Sequence, residues 1–469
     1  MSFTRRTSNS VVDQKIYPEL DDLPDYGPES GLQQVPVHVK SADGSSTFGL
    51  ILSIVFAALD IFTDILLALA LHAQALAESD DGAARQTRWW FVVTVIIIIV
   101  PMVVVNCFSL LWYFQNRKCL GDYCVLHKMS TMRKLYIVVM HTILLGPIAR
   151  YIDLLLYKYK RSKENRQVMM DEQGALVNRL TPKGEVFAVM QMVIARDSAM
   201  LEMLHGFLQD APQLVFQIFL LYRSPNIIDA DLSDTKTVAI QLLKIALALL
   251  SLARSLVSYQ EELRRGLVDK PSIGVFGVIV CVLWRMCMVA ARVIVIGSFS
   301  AIVKDSGPKN NNSGWLGYKD IDPSDDPLTY PVITACIFGG HWLVMAVWIH
   351  AQKSNFCGRP GDGRPRPCLE LLYSVVMGWV HIFCFVNHKE TPARGRMGFY
   401  YLLNLIENTA LIVWWFFKVI VVTELWFRAS IVFTVECSFL VGVCCLLLYY
   451  GFIHPKAELP EEQHLRFHR

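Results

Sequence analysis

The residues of this sequence that could do chemistry are ionisable and amide side chains set inside apolar runs. The stretch "ARDSAMLEMLHGFLQDAPQLVFQIFLLY", residues 195–222, carries Arg196, Asp197 and Asp210 beside an apolar right half. Residues three and four positions apart share one face of a helix. Such steps predict a polar stripe formed by Ser198, Glu202, His205, Gln209, Gln213 and Gln217.

Three other apolar segments contain similar groups: Asp60 and Asp64 in "LDIFTDILLA", Arg285 and Arg292 in "LWRMCMVAARVIVIGSF", and Asn404 and Glu407 in "YYLLNLIENTALIVWWF". A charge at the bilayer centre costs about 2.5–3.5 kcal/mol on insertion scales. We therefore expect these groups to face a bundle interior, with the arginines paired to Asp60, Asp64 or Glu202. Each charge alone could simply fix helix packing, but the size of the set favours a polar route.

The composition indicates the environment of these helices. The 469 residues are 54% hydrophobic and only 18% charged, whereas soluble proteins average roughly 25% charged residues. Several apolar runs reach the length of about 20 residues that a spanning helix needs. Residues 1–47 are polar, without an early apolar core, and predict a disordered cytosolic tail rather than a signal peptide. Residues 454–469 form a second cytosolic tail.

Loop charge predicts the topology, because Lys and Arg concentrate on the cytosolic side. Basic loops 116–134 and 158–185 flank segment 135–157, and basic loops 352–368 and 388–396 flank segment 369–387. Both segments are therefore predicted to be re-entrant helices that dip into the membrane and return, and Gly146-Pro147 predicts a break within the first. The eight remaining segments span the membrane, namely 48–77, 89–115, 186–222, 236–260, 273–303, 329–351, 397–418 and 427–453. Both termini then lie in the cytosol, and the sequon at Asn311 lies outside.

The layout contains a repeat. The order of crossing, re-entrant helix, crossing and crossing describes both 89–260 and 329–453, and "FLQDAPQL" at 207 faintly matches "NLIENTAL" at 404. The predicted fold is an all-α polytopic membrane protein, with a transmembrane domain at 48–453 built from two parallel pseudo-repeats. Segment 186–222 would run roughly 55 Å as one straight helix, so it must tilt, break or extend, and Pro212 predicts a kink.

The motifs of several functional classes are missing from the sequence. It has no Walker loop, HExxH, GxSxG or K⁺-filter TVGYG, and no nucleophile beside a base, so we expect neither an enzyme nor a bound cofactor. Topology accounts for the basic loops, which argues against nucleic-acid binding. "CLGDYC" with His127 has a non-standard spacing for zinc. Reduced or palmitoylated thiols are the favoured interpretation of the twelve cysteines.

Taken together, "LDIFTDILLA", the stretch at 195–222, "LWRMCMVAARVIVIGSF" and "YYLLNLIENTALIVWW" resemble the XK-related (Xkr) family over roughly residues 50–450. The resemblance implies eight spanning and two re-entrant helices. It also implies scrambling, an energy-independent exchange of phospholipids between leaflets that exposes phosphatidylserine, most often at the plasma membrane. The family's interior ladder of charges carries over to Asp60, Asp64, Arg196, Asp197, Glu202, Arg285 and Arg292.

The resemblance also implies forms of control. Several family members are activated by caspase cleavage in a cytosolic tail, often the C-terminal one. Here the C-terminal tail has no aspartate, but the N-terminal tail offers "DLPD", which ends at Asp25. The XK branch pairs with a single-pass membrane protein and is linked to lipid-transfer proteins. Two rival functions remain open, an ion or solute transporter and a partner-binding adaptor without transport.

Overall fold

A computed structural model shows a bundle of long helices with short strands in two of its loops. It describes residues 15–17, 47–77, 81–114, 117–120, 123–126, 129–164, 166–170, 176–223, 232–265, 273–302, 329–352, 367–387, 394–419 and 425–454. All structural statements below refer to these residues.

The helices follow the apolar segments of the sequence closely. They are α1 (Thr47–Ala77), α2 (Asp81–Tyr113), α3 (Thr131–Thr142), α4 (Gly146–Lys163), α5 (Pro182–His205), α6 (Ala211–Arg223), α7 (Leu232–Arg265), α8 (Val275–Ser300), α9 (Thr329–Ala351), α10 (Pro367–Phe383), α11 (Arg394–Lys418) and α12 (Leu425–Leu448). A π-helical turn, Gly206–Asp210, joins α5 to α6, and a second, Tyr449–Ile453, ends α12.

Four stretches of the described chain are long and apolar enough to cross a membrane: Thr87–Tyr113, Val275–Ser300, Thr329–Ala351 and Leu425–Ile453. The shorter apolar helix Pro367–Phe383 joins them. The other long helices carry more polar residues, among them those of the predicted stripe. The chain is therefore a helical membrane protein.

Helix α8 is the central helix of the bundle. In its most apolar window 61% of the residues are buried, against 22–33% in the other three candidate spans. It lies against α6, α7, α9, α10, α11 and α12. The two arginines of α8 are thereby held within the protein, where other elements must supply their partners.

Segment 135–157, predicted to dip in and return with a break at Gly146-Pro147, lies in a helical hairpin whose second helix begins at Gly146. Helix α3 ends at Thr142, Leu144 has a positive φ of 62°, and Pro147 lies in the first turn of α4. Proline fits the first helical turn, since the N–H that it lacks would have no intrahelical partner there. Arg133 near the start of α3 lies 3.0 Å from the carboxylate of Asp153 in α4, so the two helices fold back on each other.

The predicted segment 369–387 is a short helix, α10, followed by the non-helical residues 384–387. Helix α10 packs closely on α9 at Gly378. A Cβ added there would come within 2.8 Å of the backbone nitrogen of Ala346, which cannot move aside as a side chain could. The glycine thus sets how closely the two backbones approach.

Two small sheets, which were not predicted from the sequence, are built on hairpins in the loops between helices. Strands β2 (Arg117–Leu120) and β3 (Tyr123–Leu126) form an antiparallel hairpin, and β1 (Lys15–Tyr17) pairs with β3 in parallel. Strands β4 (Arg166–Met170) and β5 (Leu176–Leu180) form a second antiparallel hairpin. Strand β1 belongs to segment 1–47, where the sequence predicts disorder.

Candidate functional site

The polar face of residues 195–222 lies on a helix whose winding changes halfway. In the turn at Gly206–Asp210 the N–H of Ala211 donates to the carbonyl of Gly206, a π-helical bond. Pro212 follows directly, and it cannot donate to the carbonyl of Leu208. The irregularity predicted at Pro212 is therefore this wider turn, a feature that often marks functional sites.

The π turn also interrupts the predicted stripe, because it adds a residue to one turn and shifts the faces that follow. Ser198, Glu202 and His205 line a cavity, and Asp210, the last residue of the turn, joins them in place of Gln209. Gln209 is fully buried and donates to the carboxylate of Asp64 on α1. Gln213 and Gln217 are half-buried on α6 and do not line the cavity.

The cavity has a volume of about 600 Å³ and lies between α1, α2, α5, α7 and the turn of the α3–α4 hairpin. Its lining contains both apolar and polar residues, and α2, the hairpin, α5 and α7 contribute residues of both kinds. The apolar residues come chiefly from α1, α2, the hairpin turn and α7. The polar residues are Asn106, Arg150, Tyr151, Ser198, Glu202, His205, Asp210, Ser251, Arg254 and Ser255.

The cavity reaches the surface of the bundle on the side of α1 and α7. Three of its lining residues are well exposed, Leu59 at 49%, Leu247 at 56% and Leu250 at 45%. In a membrane protein, apolar side chains exposed on the outside of a bundle face lipid. Apolar side chains of the kind that face lipid therefore border the cavity on α1 and α7.

Both signs of charge line the cavity. Glu202 accepts a hydrogen bond from the hydroxyl of Tyr151 at 3.4 Å. Arg254 on α7 and His205 one turn along α5 both interact electrostatically with this carboxylate. The side-chain hydroxyl of Ser198 is buried without a hydrogen-bond partner among the described residues. A zwitterionic or polar group in the cavity would meet a carboxylate, a guanidinium and serine side chains.

Arg150 anchors the wall formed by α2 and the hairpin. Its Nε donates to Ser109 Oγ at 2.8 Å, and Nη2 donates to the Ser109 carbonyl at 2.7 Å. Its guanidinium also lies 3.4 Å from Asp197 and over the ring of Tyr113. Asp197 contacts Arg196 at 3.2 Å as well, so the predicted pair Arg196 and Asp197 belongs to this network.

Two charged residues of α4, Arg150 and Asp153, are missing from the site residues predicted from the sequence. Both are buried, and Asp153 accepts a hydrogen bond from the hydroxyl of Tyr113 at 2.8 Å. The sequence does contain a pattern that indicates a buried polar site here, because two opposite charges three residues apart interrupt an apolar segment. Their role depends on Ser109 and Tyr113, which no sequence spacing connects to them.

A polar clamp fixes the turn of the α3–α4 hairpin against α2. Asn106 donates to the carbonyl of Leu144 at 3.2 Å and accepts from the N–H of Gly146 at 2.9 Å. His141 shares a 2.8 Å hydrogen bond with Ser109. Backbone groups that leave the helical pattern at this depth must find partners within the protein, and Asn106 supplies two of them.

A second cluster of charges surrounds Arg292 on α8, and its other members come from later helices of the chain. Its guanidinium pairs with Glu407 on α11 and donates to Asn408 Oδ1 at 2.8 Å. Nε donates to the carbonyl of Ile382, the next-to-last residue of α10, at 2.8 Å. His341 on α9 contacts the same Glu407 carboxylate at 2.9 Å. Arg292 therefore ties three helices to α8.

The buried end of α10 is held by these and related side chains. The last carbonyls of a helix lack intrahelical partners, and the C-terminal end attracts positive charge. Arg285 donates to the carbonyl of Phe385 at 2.6 Å, and Tyr400 donates to that of His381 at 2.8 Å. The two arginines of α8 thus serve as a cap for a helix that ends inside the protein.

The predicted pairing of Arg285 or Arg292 with Asp60, Asp64 or Glu202 is therefore wrong. Arg292 has Glu407 as its carboxylate partner, and Arg285 has a backbone carbonyl. Periodicity identified the buried face of α8 correctly. It could not identify the neighbour on that face, because the partners lie about a hundred residues further along the chain.

Of the remaining predicted site residues, one is buried in its own helix, and the side chains of three lie outside the described part of the chain. Asn404 is buried and donates to the carbonyl of Tyr400 within its own helix, at 3.0 Å. The side chain of Asp60, the caspase candidate Asp25 and the sequon residue Asn311 lie outside the described residues. The structure thus resolves two charged clusters, one around the cavity and one around Arg292.

Comparison with known proteins identifies the family of the chain. The family model described as XK-related protein matches residues 48–305 and 328–455, which is most of the chain. XK-related protein 8 of Tetraodon nigroviridis is 25% identical over 315 residues, which cover 67% of this chain and 66% of that relative. The chain thus spans just under two thirds of the length of this curated relative. On the breadth of the family match, the chain belongs to the XK-related family of membrane proteins.

Proposed function

We propose that this protein is a phospholipid scramblase, which lets lipids exchange between the leaflets without an energy source. The observation that carries the proposal is the cavity of about 600 Å³, which is lined by both charged and apolar side chains and bordered by exposed leucines on α1 and α7. A phospholipid crossing a bilayer must keep its headgroup among polar partners while its acyl chains stay in hydrocarbon. A cavity that offers both polar and apolar side chains, with exposed apolar residues on α1 and α7 at its border, would serve both requirements.

The charges around the cavity suit a zwitterionic headgroup. Arg254 offers a cation to a phosphate, and Glu202 and Asp210 offer carboxylates to an ammonium group. Since both signs are present, the site does not require one particular net charge on the lipid. We therefore propose non-selective transport that includes phosphatidylserine, as the family membership favours. The plasma membrane is the proposed location.

The proposal includes a topology of eight crossings, two re-entrant elements and cytosolic termini. The order α2, α3–α4, α5–α6, α7 matches the order α9, α10, α11, α12, as two parallel repeats require. A corresponding contact supports the match. Asn106 of α2 bonds to the carbonyl of Leu144 in one short element, and His341 of α9 bonds to the carbonyl of His381 in the other, both at 3.2 Å.

The topology predicts which loops can be reached from outside the cell. Epitope tags placed in loops 116–134, 158–185, 352–368 and 388–396 should bind antibody only after the cells are permeabilised, because basic loops stay cytosolic. A tag in loop 304–328 should be reachable on intact cells and serves as the control. Labelling of any basic loop on intact cells would contradict the two re-entrant elements and the repeat.

The activity is tested on the purified protein in liposomes that carry a fluorescent phospholipid in both leaflets. A membrane-impermeant reductant should bleach all of the label when the protein is present, and only the outer-leaflet label in protein-free vesicles. An entrapped soluble dye reports leakage of the reductant. Solute leakage without lipid exchange would favour a transporter or pore, and the absence of both would favour an adaptor.

The same assay tests proteolytic control. We propose that cleavage after Asp25 activates the protein. The wild-type chain and Asp25→Ala are compared with and without caspase treatment, and only the treated wild type should gain activity. Equal rates in all arms would instead favour a constitutive scramblase, or one controlled by a single-pass membrane partner or a lipid-transfer protein.

A further inference from the structure

The N-terminal segment forms part of a sheet with a loop of the membrane domain. Strand β1 pairs with β3 in parallel, with Lys15 opposite Tyr123, Ile16 opposite Cys124 and Tyr17 opposite Val125. The sheet order is β1–β3–β2, so β1 covers the edge of the β2–β3 hairpin. Without β1, strand β3 would expose a row of unpaired backbone donors and acceptors.

The hairpin covered by β1 lies against the helix that carries the cavity residues. Both β2 and β3 contact α5, and β5 contacts it as well. Helix α5 carries Ser198, Glu202 and His205 at the cavity. A strand docked on the hairpin thus contacts an element that itself contacts α5, the helix that provides several polar residues of the cavity.

Charge also favours the docking of this segment. The residues that follow β1 include Glu19, Asp21, Asp22 and Asp25, while those in and around the hairpin include Arg117, Lys118, Lys128 and Lys134. Opposite charges attract within about a Debye length, roughly 10 Å at 0.1 M salt. The acidic segment and the basic hairpin are therefore electrostatically matched.

We propose that Lys15–Tyr17 is an intramolecular ligand of the β3 edge, and that its docking stabilises the hairpin against α5 and restrains that helix. The consequence for transport, a slower scrambling rate in the docked state, rests on the proposed function. Recognition is through the backbone, as when an extended peptide adds a strand to a sheet edge. Three residue pairs make a weak contact, so the segment can leave and return without unfolding the bundle.

The docking is tested in the full chain, in lipid nanodiscs, by amide hydrogen exchange. Proline is introduced separately at Ile16 and at Tyr17. Successive residues of a strand point their N–H groups to opposite sides, so one of the two prolines must remove a hydrogen bond to β3. Ile16→Val and Tyr17→Phe are the matched controls, since they keep the N–H group and a good strand former.

We expect amides of Tyr123–Leu126 to exchange about tenfold faster in at least one proline variant and at the wild-type rate in both controls. Amides in the first turns of α5, around Val186–Val189, should lose protection in the same variant. Unchanged exchange at β3 in both proline variants would overturn the docking. Faster exchange at β3 with unchanged exchange in α5 would overturn the restraint.

The liposome assay then measures the consequence for transport. The proline variant that loses protection should exchange lipid faster than its control. Equal rates in these two proteins would refute control of transport by the docked strand. If no protein in the series exchanges lipid, the proposed scramblase function fails, while the exchange data still decide whether the strand docks and restrains α5.

Discussion

Replacing Arg292 with methionine should remove most of the folded protein from detergent extracts. The substitution keeps an unbranched apolar stem but leaves the amide oxygen of Asn408 and the carbonyl of Ile382 without their donor, and leaves the Glu407 carboxylate with His341 as its remaining partner. Breaking a buried ion pair from one side costs about 3–5 kcal/mol. That is a large fraction of a typical folding free energy of about 5–15 kcal/mol.

The measurement is the yield of monodisperse protein in size-exclusion chromatography, together with its midpoint of thermal unfolding. Arg394→Met is the control, because Arg394 is exposed at the first residue of α11. The double variant Arg292→Met with Glu407→Gln should recover part of the loss, since the carboxylate that lost its arginine partner is then neutral. A single variant as stable as the wild type would show that Arg292 does not hold the end of α10.

Replacing Ser251 with tryptophan should abolish most lipid exchange while the protein still folds. Ser251 lines the cavity and is exposed to it, so a large ring can enter the space without displacing packed side chains. The ring would occupy volume beside Arg254 and reduce the space inside the cavity. We expect the rate of lipid exchange to fall by about tenfold or more, a change of about 1.4 kcal/mol in the barrier.

The matched control for this variant is Ala246→Trp. Ala246 lies on the same helix, is exposed on the outside of the bundle and does not line the cavity. Both variants carry the same added ring in α7, and both should elute as monodisperse protein. If Ser251→Trp exchanges lipid as fast as Ala246→Trp, lipids do not pass through this cavity.

The sequence predicted the helices well because apolar length is a local property. Each apolar segment appears as helix, and the break expected at Gly146–Pro147 lies where α4 begins. That break depends on two adjacent residues. The hairpin form depended in addition on Asn106 and Ser109, which α2 brings to the turn.

The candidate site was predicted only in part. Ser198, Glu202 and His205 do line one cavity because residues on one helical face remain together, and the π turn adds Asp210 to them. The partners of Arg292 were not predictable, since a buried arginine specifies a need for acceptors but not the helix that provides them. The strands in the loops were missed because three to five residues without strong alternation carry little signal.

The π turn at Gly206–Asp210 has a consequence for how this chain is aligned with its relatives. A π turn accommodates one residue more than the α-helix around it. A homologous chain with a regular helix there would be one residue shorter and would still present the same faces on both sides. The correct alignment would then place a gap inside a membrane helix, where gaps are ordinarily penalised. An ungapped alignment would match Gln213 and Gln217 to the wrong positions of that homologue.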